Sequence, residues 1–187
     1  MKSDITAGIA KNLRPLFVPD FTAEHVLDID FKKLHALGIR HILVDLDLTL
    51  RKKMSRKLEP KVNKFLIDNF KKYNFESISI ASNNILNLER YSVPLQAYLF
   101  QPFWRGIRLI RKPNSAFYER ILNELRADPK TCVMIGDKLH ADVFGGNRAG
   151  MLTILVKPNG SDYWFDKILL TRIREHRTIE SFKPTKH

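Results

Sequence analysis

Short apolar runs alternate along this chain with segments in which apolar residues recur every three or four positions. The runs are rich in Ile, Val and Leu and are too short for helices, which is typical of buried strands. The five predicted strands cover residues 40–47, 75–82, 95–100, 131–136 and 151–156. This alternation in a chain of 187 residues predicts one α/β domain with a parallel five-stranded sheet flanked by helices.

Several residues mark where the predicted helices begin and end. Pro60 suits the first turn of a helix and Asn114 suits an N-cap. A weakly helical segment ends at Gly38, so residues 1–38 are expected to form a helical lead-in to a domain that spans residues 1–187. Further helices are predicted over residues 84–91 and 141–149, and an amphipathic helix with a tail over residues 161–187.

Aspartates follow two of the predicted strands. Asp45 and Asp47 close the first strand, and Asp137 follows the fourth, with Asp142 about one helical turn later. Because open α/β sheets bind ligands at the carboxyl ends of their strands, we expect four carboxylates to converge at one edge. Like charges that close need either raised pKa values or a cation, and hard oxygen ligands suit Mg²⁺. The pattern predicts a magnesium site.

Groups that bind anions follow the other predicted strands. Ser82 and Asn83 come at the end of the second strand, just before a predicted helix, so a hydroxyl and backbone N–H groups are available there. Lys112 precedes Pro113 at the start of another helix. A hydroxyl and an ammonium opposite a carboxylate and Mg²⁺ form a set that binds and attacks phosphate.

Four stretches, in this order, resemble the motifs of the haloacid dehalogenase (HAD) phosphatases. They are Asp45-Leu46-Asp47-Leu48-Thr49, Ser82, Lys112, and Gly136-Asp137 with Asp142. Residues 81–84, 111–113 and 136–150 are similar, more narrowly, to the YqeG-like branch of subfamily IIIA, whose members usually carry Asn in place of Leu48. Four ordered motifs are far more specific than one. The resemblance covers nearly the whole chain and implies a Rossmann-like HAD domain.

The resemblance also implies a role for each motif residue. Asp45 is expected to be the nucleophile that forms an aspartyl-phosphate, and Asp47 the general acid and then the general base. Mg²⁺ is expected to bind Asp45, Asp137 and the backbone carbonyl of Asp47, with Asp142 as a ligand or an outer partner. The phosphoryl oxygens are expected to bind Ser82, the N–H of Asn83, and Lys112.

The spacing of the motifs leaves no room for a large cap domain. Only 32 residues separate Thr49 from Ser82 and 29 separate Ser82 from Lys112, and the predicted elements already use them. An uncapped site admits bulky or surface-bound substrates. The YqeG-like branch is similar to phosphatases that convert phosphatidylglycerophosphate to phosphatidylglycerol, so the resemblance implies a phosphorylated substrate with an anionic lipid headgroup.

Charge and cysteine content narrow the expected partners and compartment. Lys and Arg number 32 against 20 Asp and Glu, a net charge of +12 that favours anionic partners, including peripheral contact with an anionic membrane. Cys132 is the only cysteine and no apolar run is long enough to cross a bilayer, so we expect a cytoplasmic protein. Residues 164–173 form an apolar stripe that either packs on the sheet or contacts lipid, and the aromatic residues of 98–104 belong either to the core or to the rim of the site.

Two other functions compete with a lipid phosphatase. The same machinery could act on a small soluble phosphate, such as a sugar phosphate or a nucleotide. A basic RNA-binding or assembly protein on a phosphatase scaffold ranks last, because the sequence contains no recognised RNA-binding motif, and nucleic acid is not an expected partner.

Overall fold

The computed structural model describes residues 15–52, 55–159 and 180–182. Its strands are β1 (Phe21–Ala23), β2 (His41–Val44), β3 (Ser77–Ala81), β4 (Tyr98–Phe100), β5 (Phe103–Arg105), β6 (Arg108–Ile110), β7 (Cys132–Gly136), β8 (Leu152–Val156) and β9 (Glu180–Ser181). Its α-helices are α1 (Phe31–Ala36), α2 (Pro60–Lys72), α3 (Glu89–Leu95), α4 (Ser115–Leu125) and α5 (Gly145–Arg148). A π-helix, Leu139–Phe144, leads into α5, and short 3₁₀ turns cover Val26–Asp28 and Pro129–Thr131.

Seven strands form one parallel sheet in the order β4-β3-β2-β7-β8-β1-β9. The predicted α/β class is confirmed, and the five predicted strands correspond to β2, β3, β4, β7 and β8. The predicted count of five was wrong because β1 and β9 extend the sheet beyond β8. With three and two residues, these two strands are too short to show a hydrophobic period.

The helical lead-in predicted over residues 1–38 differs from the structure. Residues 1–14 lie outside the described part of the chain, residues 21–23 are strand β1, and only Phe31–Ala36 form an α-helix. Phe21 and Ala23 are buried, and β1 pairs with β8 along its length, so tertiary pairing overrides a weak helical pattern. The amphipathic helix predicted from residue 161 lies outside the described residues, apart from 180–182.

The helix predicted over residues 84–91 begins later, at Glu89. The side chains of Asn84 and Asn87 accept hydrogen bonds from the backbone N–H groups of Leu86 and Glu89, at 2.9 and 3.1 Å. Asparagine turns of this kind compete with helix formation, so the segment after β3 is a loop.

Both faces of the sheet are buried. Ile42 and Val44 of β2 belong to the larger apolar cluster, to which α2 contributes Val62, whereas Leu43 points into a second cluster. Helix α4 packs into this second cluster through Phe117, Tyr118 and Ile121. Covering both faces leaves the ends of the strands as the open positions of the sheet. Within the described part of the chain, no helix is long and apolar enough to span a bilayer.

Candidate active site

The site lies where the strand order reverses. Strand β2 pairs with β3 on one side and with β7 on the other, so the chain departs in both directions from this point. Asp45 follows β2 and Asp137 follows β7, and both are buried. The N–H of Asp45 donates to the carbonyl of Ile135 at 2.8 Å, which continues the β2–β7 ladder to Asp45. A switch point of this kind places a crevice at the carboxyl ends of the strands.

Lys112 links two of the predicted carboxylates. Its Nζ donates to Asp45 Oδ1 at 2.7 Å and to Asp142 Oδ1 at 2.6 Å, and all three side chains are buried. Burial alone would lower the pKa of Lys112, but Asp142 and Asp45 outweigh it and raise this pKa above its usual range. Lys112 therefore stays a cation beside Asp45.

Asn83 fixes the backbone that carries Lys112. Its Oδ1 accepts from the N–H of Lys112 at 2.9 Å, and its Nδ2 donates to the carbonyl of Lys112 at 3.0 Å. The sequence predicted only the backbone N–H of Asn83 as a functional group, so this side-chain role is new. Next to it, the hydroxyl of buried Ser82 accepts from the N–H of Asn84 at 3.1 Å, and the N–H of Ser82 donates to the carbonyl of Phe100.

Asp45, Asp137 and Asp142 offer oxygens that lie within 4.8 Å of one another. Burial, followed by the neighbouring carboxylates, raises the pKa of Asp137 to about 8. Burial also raises the pKa of Asp45 to about 6, although Lys112 opposes this shift. Within the described part of the chain, Asp45 Oδ2 is buried without a hydrogen-bond partner. Hard oxygen donors, mutual repulsion and one unpartnered oxygen fit a divalent cation such as Mg²⁺.

Asp142 is held on both sides. Its Oδ1 accepts from Lys112, and its Oδ2 accepts from the N–H of Lys138 at 3.0 Å. Gly136 provides the space, because a Cβ at this position would come within 2.6 Å of the Cβ of Asp142. With both oxygens already bonded, Asp142 is placed to anchor Lys112 as well as to border the metal position.

Asp47 stands apart from this cluster, with 32% of its side chain exposed. Arg51 Nη2 forms an ion pair with Asp47 Oδ1, and Asn84 Nδ2 donates to Asp47 Oδ2 at 3.4 Å. Leu48, next to Asp47, adopts a positive φ of 67°, a conformation that Asn takes more readily than Leu. This is the position at which the resemblance described above implies Asn.

A pocket of about 230 Å³ opens at this edge of the sheet. Asp45, Asp47, Ser82, Asn83, Asn84, Lys112, Lys138 and Ala141 line it. Of the seven predicted site residues, the five on the first three motifs thus line the pocket, and Asp137 and Asp142 adjoin it through the carboxylate cluster.

The sequence did not single out Arg51, Asn84 and Lys138 individually. Arg51 belongs to a run of basic residues and does not stand out in it. The spacing of four residues from Asp47 was the one feature that could have indicated their ion pair. Asn84 and Lys138 directly follow predicted motif residues, so their position was the available signal.

Comparison with known proteins identifies relatives of the whole chain. It is 30% identical to "Probable phosphatase YqeG" of Bacillus subtilis (strain 168) over 178 residues, which cover 94% of this chain and 96% of that protein. It is 26% identical over 167 residues to "Phosphatidylglycerophosphate phosphatase 1, chloroplastic" of Chlamydomonas reinhardtii, covering 86% of this chain and 60% of that protein.

Two further comparisons concern part of the chain and the fold. A profile of HAD-hydrolase-like proteins matches residues 109–163, which carry Lys112, Asp137 and Asp142. An uncharacterised protein of Listeria monocytogenes serotype 4b has a solved structure that covers 72% of this chain and 99% of its own, with a TM-score of 0.51 and 18% identity, and thus shares the fold. Because the Bacillus subtilis relative matches nearly end to end, this chain belongs to the HAD-like phosphatase family.

Proposed function

We propose that this phosphatase is a Mg²⁺-dependent phosphomonoesterase that works through an aspartyl-phosphate on Asp45. The observation that carries the proposal is the state of this carboxylate. One oxygen is bonded to the ammonium of Lys112, and the other is buried and unpartnered among the described residues. Asp45 also lines the pocket, so its carboxylate is placed to bind a cation and to attack an electrophile that enters the pocket.

Two proton transfers by Asp47 complete the reaction. A carboxylate oxygen of Asp45 attacks phosphorus, the bond to the leaving alkoxide breaks, and protonated Asp47 gives its proton to that alkoxide. The Asp47 carboxylate then takes a proton from water, whose oxygen attacks phosphorus and releases Asp45 with inorganic phosphate. Arg51 and Asn84 hold the Asp47 carboxylate at the mouth of the pocket, where it would meet the leaving group and then water.

Asp45, Asp137 and the carbonyl of Asp47 would hold Mg²⁺, with Asp142 as a ligand or an outer partner. When bound, the cation would neutralise charge on the phosphoryl oxygens and keep Asp45 ionised. Lys112, Ser82 and the N–H of Asn83 would bind the remaining phosphoryl oxygens. Lys112 suits this task because its positive charge is secured by two buried carboxylates.

We propose phosphatidylglycerophosphate as the substrate, at the cytoplasmic face of the membrane. The Chlamydomonas reinhardtii relative bears the name of a phosphatase for this lipid and aligns with 86% of this chain. A pocket of about 230 Å³ is smaller than the sites that enclose drug-sized ligands, so most of a lipid substrate would lie outside it. A lipid headgroup presented by a membrane meets that condition.

The test is phosphate release from phosphatidylglycerophosphate in detergent, with Mg²⁺ or EDTA, beside a panel of sugar phosphates and nucleotides. We expect Mg²⁺-dependent release with the highest kcat/KM for the lipid, and loss of release in Asp45→Asn, an isosteric change that removes the nucleophile. Faster turnover of a small phosphate would assign the site to a soluble substrate instead. Release that survives in Asp45→Asn would overturn the proposed mechanism.

A further inference from the structure

A β-hairpin projects from the body of the protein after strand β4. Strands β5 and β6 pair antiparallel, with Phe103 opposite Ile110, Trp104 opposite Leu109 and Arg105 opposite Arg108. Ile110 is buried and Phe103 half-buried, so the base of the hairpin packs against the protein. Residues 104–109 are all exposed, with Trp104 at 68% and Ile107 at 95%. Side chains this large and apolar are seldom left in water without a use.

The tip of the hairpin has a defined shape. Gly106, with φ of 60°, takes the first central position of the two-residue turn between Arg105 and Arg108, where the favoured hairpin turns need a positive φ. Ile107 takes the second position and is the most exposed apolar side chain among the described residues. At the base, the guanidinium of Arg120 lies 4.9 Å from the ring centroid of Phe103. The hairpin is thus an ordered element that presents Ile107 outward.

The hairpin is connected to the mouth of the pocket. Gln101, just before β5, donates through Nε2 to the carbonyls of Asn84 and Leu86, at 3.0 and 2.6 Å. Asn84 lines the pocket, and its neighbours Ile85 and Leu86 are 71% and 67% exposed. At the other end of the hairpin, Lys112 follows β6 by two residues. We call Ile85, Leu86, Trp104, Ile107 and Leu109 the rim patch.

The sequence that contains the hairpin carries positive charge without any acid. From residue 90 to residue 118 the chain contains four Arg, one Lys and no Asp or Glu. Arg105, Arg108 and Arg111 are exposed, and none of the three has an ion-pair partner among the described residues. Exposed apolar side chains and unpaired arginines on one small element match the two layers of an anionic bilayer surface, the acyl boundary and the phosphates.

We infer that the rim patch, with Arg105, Arg108 and Arg111, docks the protein onto an anionic lipid bilayer. Ile107 and Trp104 enter the acyl boundary, and the arginines bind lipid phosphates. This inference rests on the proposed function, because the docked protein would present its pocket to the lipid headgroups. A nucleic acid would also attract the arginines but offers no apolar medium for Ile107, Ile85 and Leu86, so a bilayer is the better match.

The first experiment measures flotation with vesicles of phosphatidylglycerol and phosphatidylcholine that contain no substrate. We expect Ile107→Ser to weaken binding by about tenfold or more, and Arg105→Gln with Arg108→Gln to weaken it by about fivefold for each arginine. The matched controls lie away from the rim patch. Leu37→Ser removes an exposed apolar side chain in the turn before the amino end of β2, and Lys71→Gln with Lys72→Gln removes two exposed charges on α2. These controls should bind like the wild type, and equal weakening by all variants would overturn the inference.

A second measurement follows Trp104 directly. In a Trp164→Phe background it is the only tryptophan of the chain. Its emission should shift to the blue on addition of anionic vesicles, and brominated acyl chains should quench it. No shift despite flotation would show that another surface binds the membrane. RNA binding or self-association that depends on Ile107, without vesicle binding, would likewise refute membrane docking.

Hydrolysis of soluble p-nitrophenyl phosphate separates this inference from the proposed function. At saturating substrate, kcat should be unchanged in the Ile107→Ser variant, because Ile107 does not line the pocket. If the rim patch binds vesicles but phosphatidylglycerophosphate is not hydrolysed, the proposed substrate fails and the docking surface stands. If the lipid is hydrolysed in detergent and Ile107→Ser binds vesicles as well as the wild type does, the docking surface fails and the substrate stands.

Discussion

At the scale of single residues, the site depends on the absence of one side chain as much as on the presence of others. Gly136 ends β7 directly before Asp137, and its missing Cβ leaves room for Asp142. Asp142 in turn accepts the hydrogen bond from Lys112 that keeps this cation beside Asp45. A glycine next to the carboxylate cluster therefore makes room for the partner of a lysine that lies far from it in sequence.

We predict that Gly136→Ala lowers kcat for p-nitrophenyl phosphate by about 100-fold, the order of loss that a displacement of about 1 Å in a catalytic site produces. Overlap with Asp142 should also reduce the free energy of unfolding by about 1–3 kcal/mol, measured with urea. In an Asp142→Gly background, adding Gly136→Ala should cost little further stability, because the overlap is absent, and kcat should stay at the level of Asp142→Gly alone. Wild-type kcat in Gly136→Ala would show that Asp142 moves without consequence.

At the scale of elements, the first described residues are joined to the sheet by a side chain of α5. Asn147 Nδ2 donates to the carbonyls of Leu16 and Val18, at 2.9 and 2.8 Å, and its Oδ1 accepts from the hydroxyl of buried Thr153 at 2.9 Å. One amide thus connects a helix, strand β8 and the segment before β1. The short strand β1 depends on this connection, because its three residues cannot hold the segment alone.

We predict that Asn147→Ala reduces the free energy of unfolding by about 2–3 kcal/mol, since it leaves two carbonyls without their donor and removes the shortest hydrogen bond of the buried Thr153 hydroxyl. Urea unfolding would measure the loss. The matched control is Asn123→Ala on the exposed face of α4, where alanine favours the helix and stability should not fall. Because Asn147 does not line the pocket, kcat per folded molecule should be unchanged; a loss of kcat without a loss of stability would instead place Asn147 in the catalytic site.

The elements that the sequence predicted correctly share a strong local signal. Strands β2 and β7 have long apolar runs that end in aspartate, and Asn114 caps α4 by accepting from the N–H of Ala116, as its position suggested. The hairpin of β5 and β6 was missed, because aromatic and basic residues mix there without alternation of buried and exposed positions. The aromatic residues of 98–104 proved to be split, with Phe100 buried and Trp104 exposed.

The residues of the site were likewise predictable where a local motif marks them and unpredictable where only a tertiary contact does. The order of the motifs was enough to bring Asp45, Lys112 and Asp142 to one place in the sequence interpretation, and the structure places them within hydrogen-bond distance. The bonds between Asn83 and Lys112 could not be predicted, because the two residues are 29 positions apart and meet only through the packing of β3 against the segment after β6. Contacts of this kind depend on tertiary structure, which no local pattern encodes.

At the scale of the whole molecule, the site makes folding stability depend on pH. The pKa of Asp137 is about 8 in the folded protein, against an ordinary value of 3.8, and the pKa of Asp45 is about 6. Between pH 3.8 and its folded-state pKa, each of these carboxyl groups keeps in the folded state a proton that it has already released in the unfolded chain. Stability of the metal-free protein therefore falls as pH rises from about 4 to about 8, first through Asp45 and Asp137 together and then through Asp137 alone.

Replacing Asp137 by Asn should remove the upper part of this pH dependence. In EDTA, the free energy of unfolding of the wild type should fall between pH 6 and pH 8 by about 1–2 kcal/mol more than that of Asp137→Asn, measured with urea. At pH 8, saturating Mg²⁺ should raise the free energy of unfolding of the wild type above that of Asp137→Asn. The cation binds ionised carboxylates and stabilises the folded wild type by mass action, while Asp137→Asn has lost a proposed ligand. At pH 5, where protons compete for the same oxygens, Mg²⁺ should stabilise the wild type much less. Parallel profiles for the two proteins in EDTA would mean that Asp137 is ionised in the folded state without a metal, and that Lys112 and Lys138 suffice to balance the cluster.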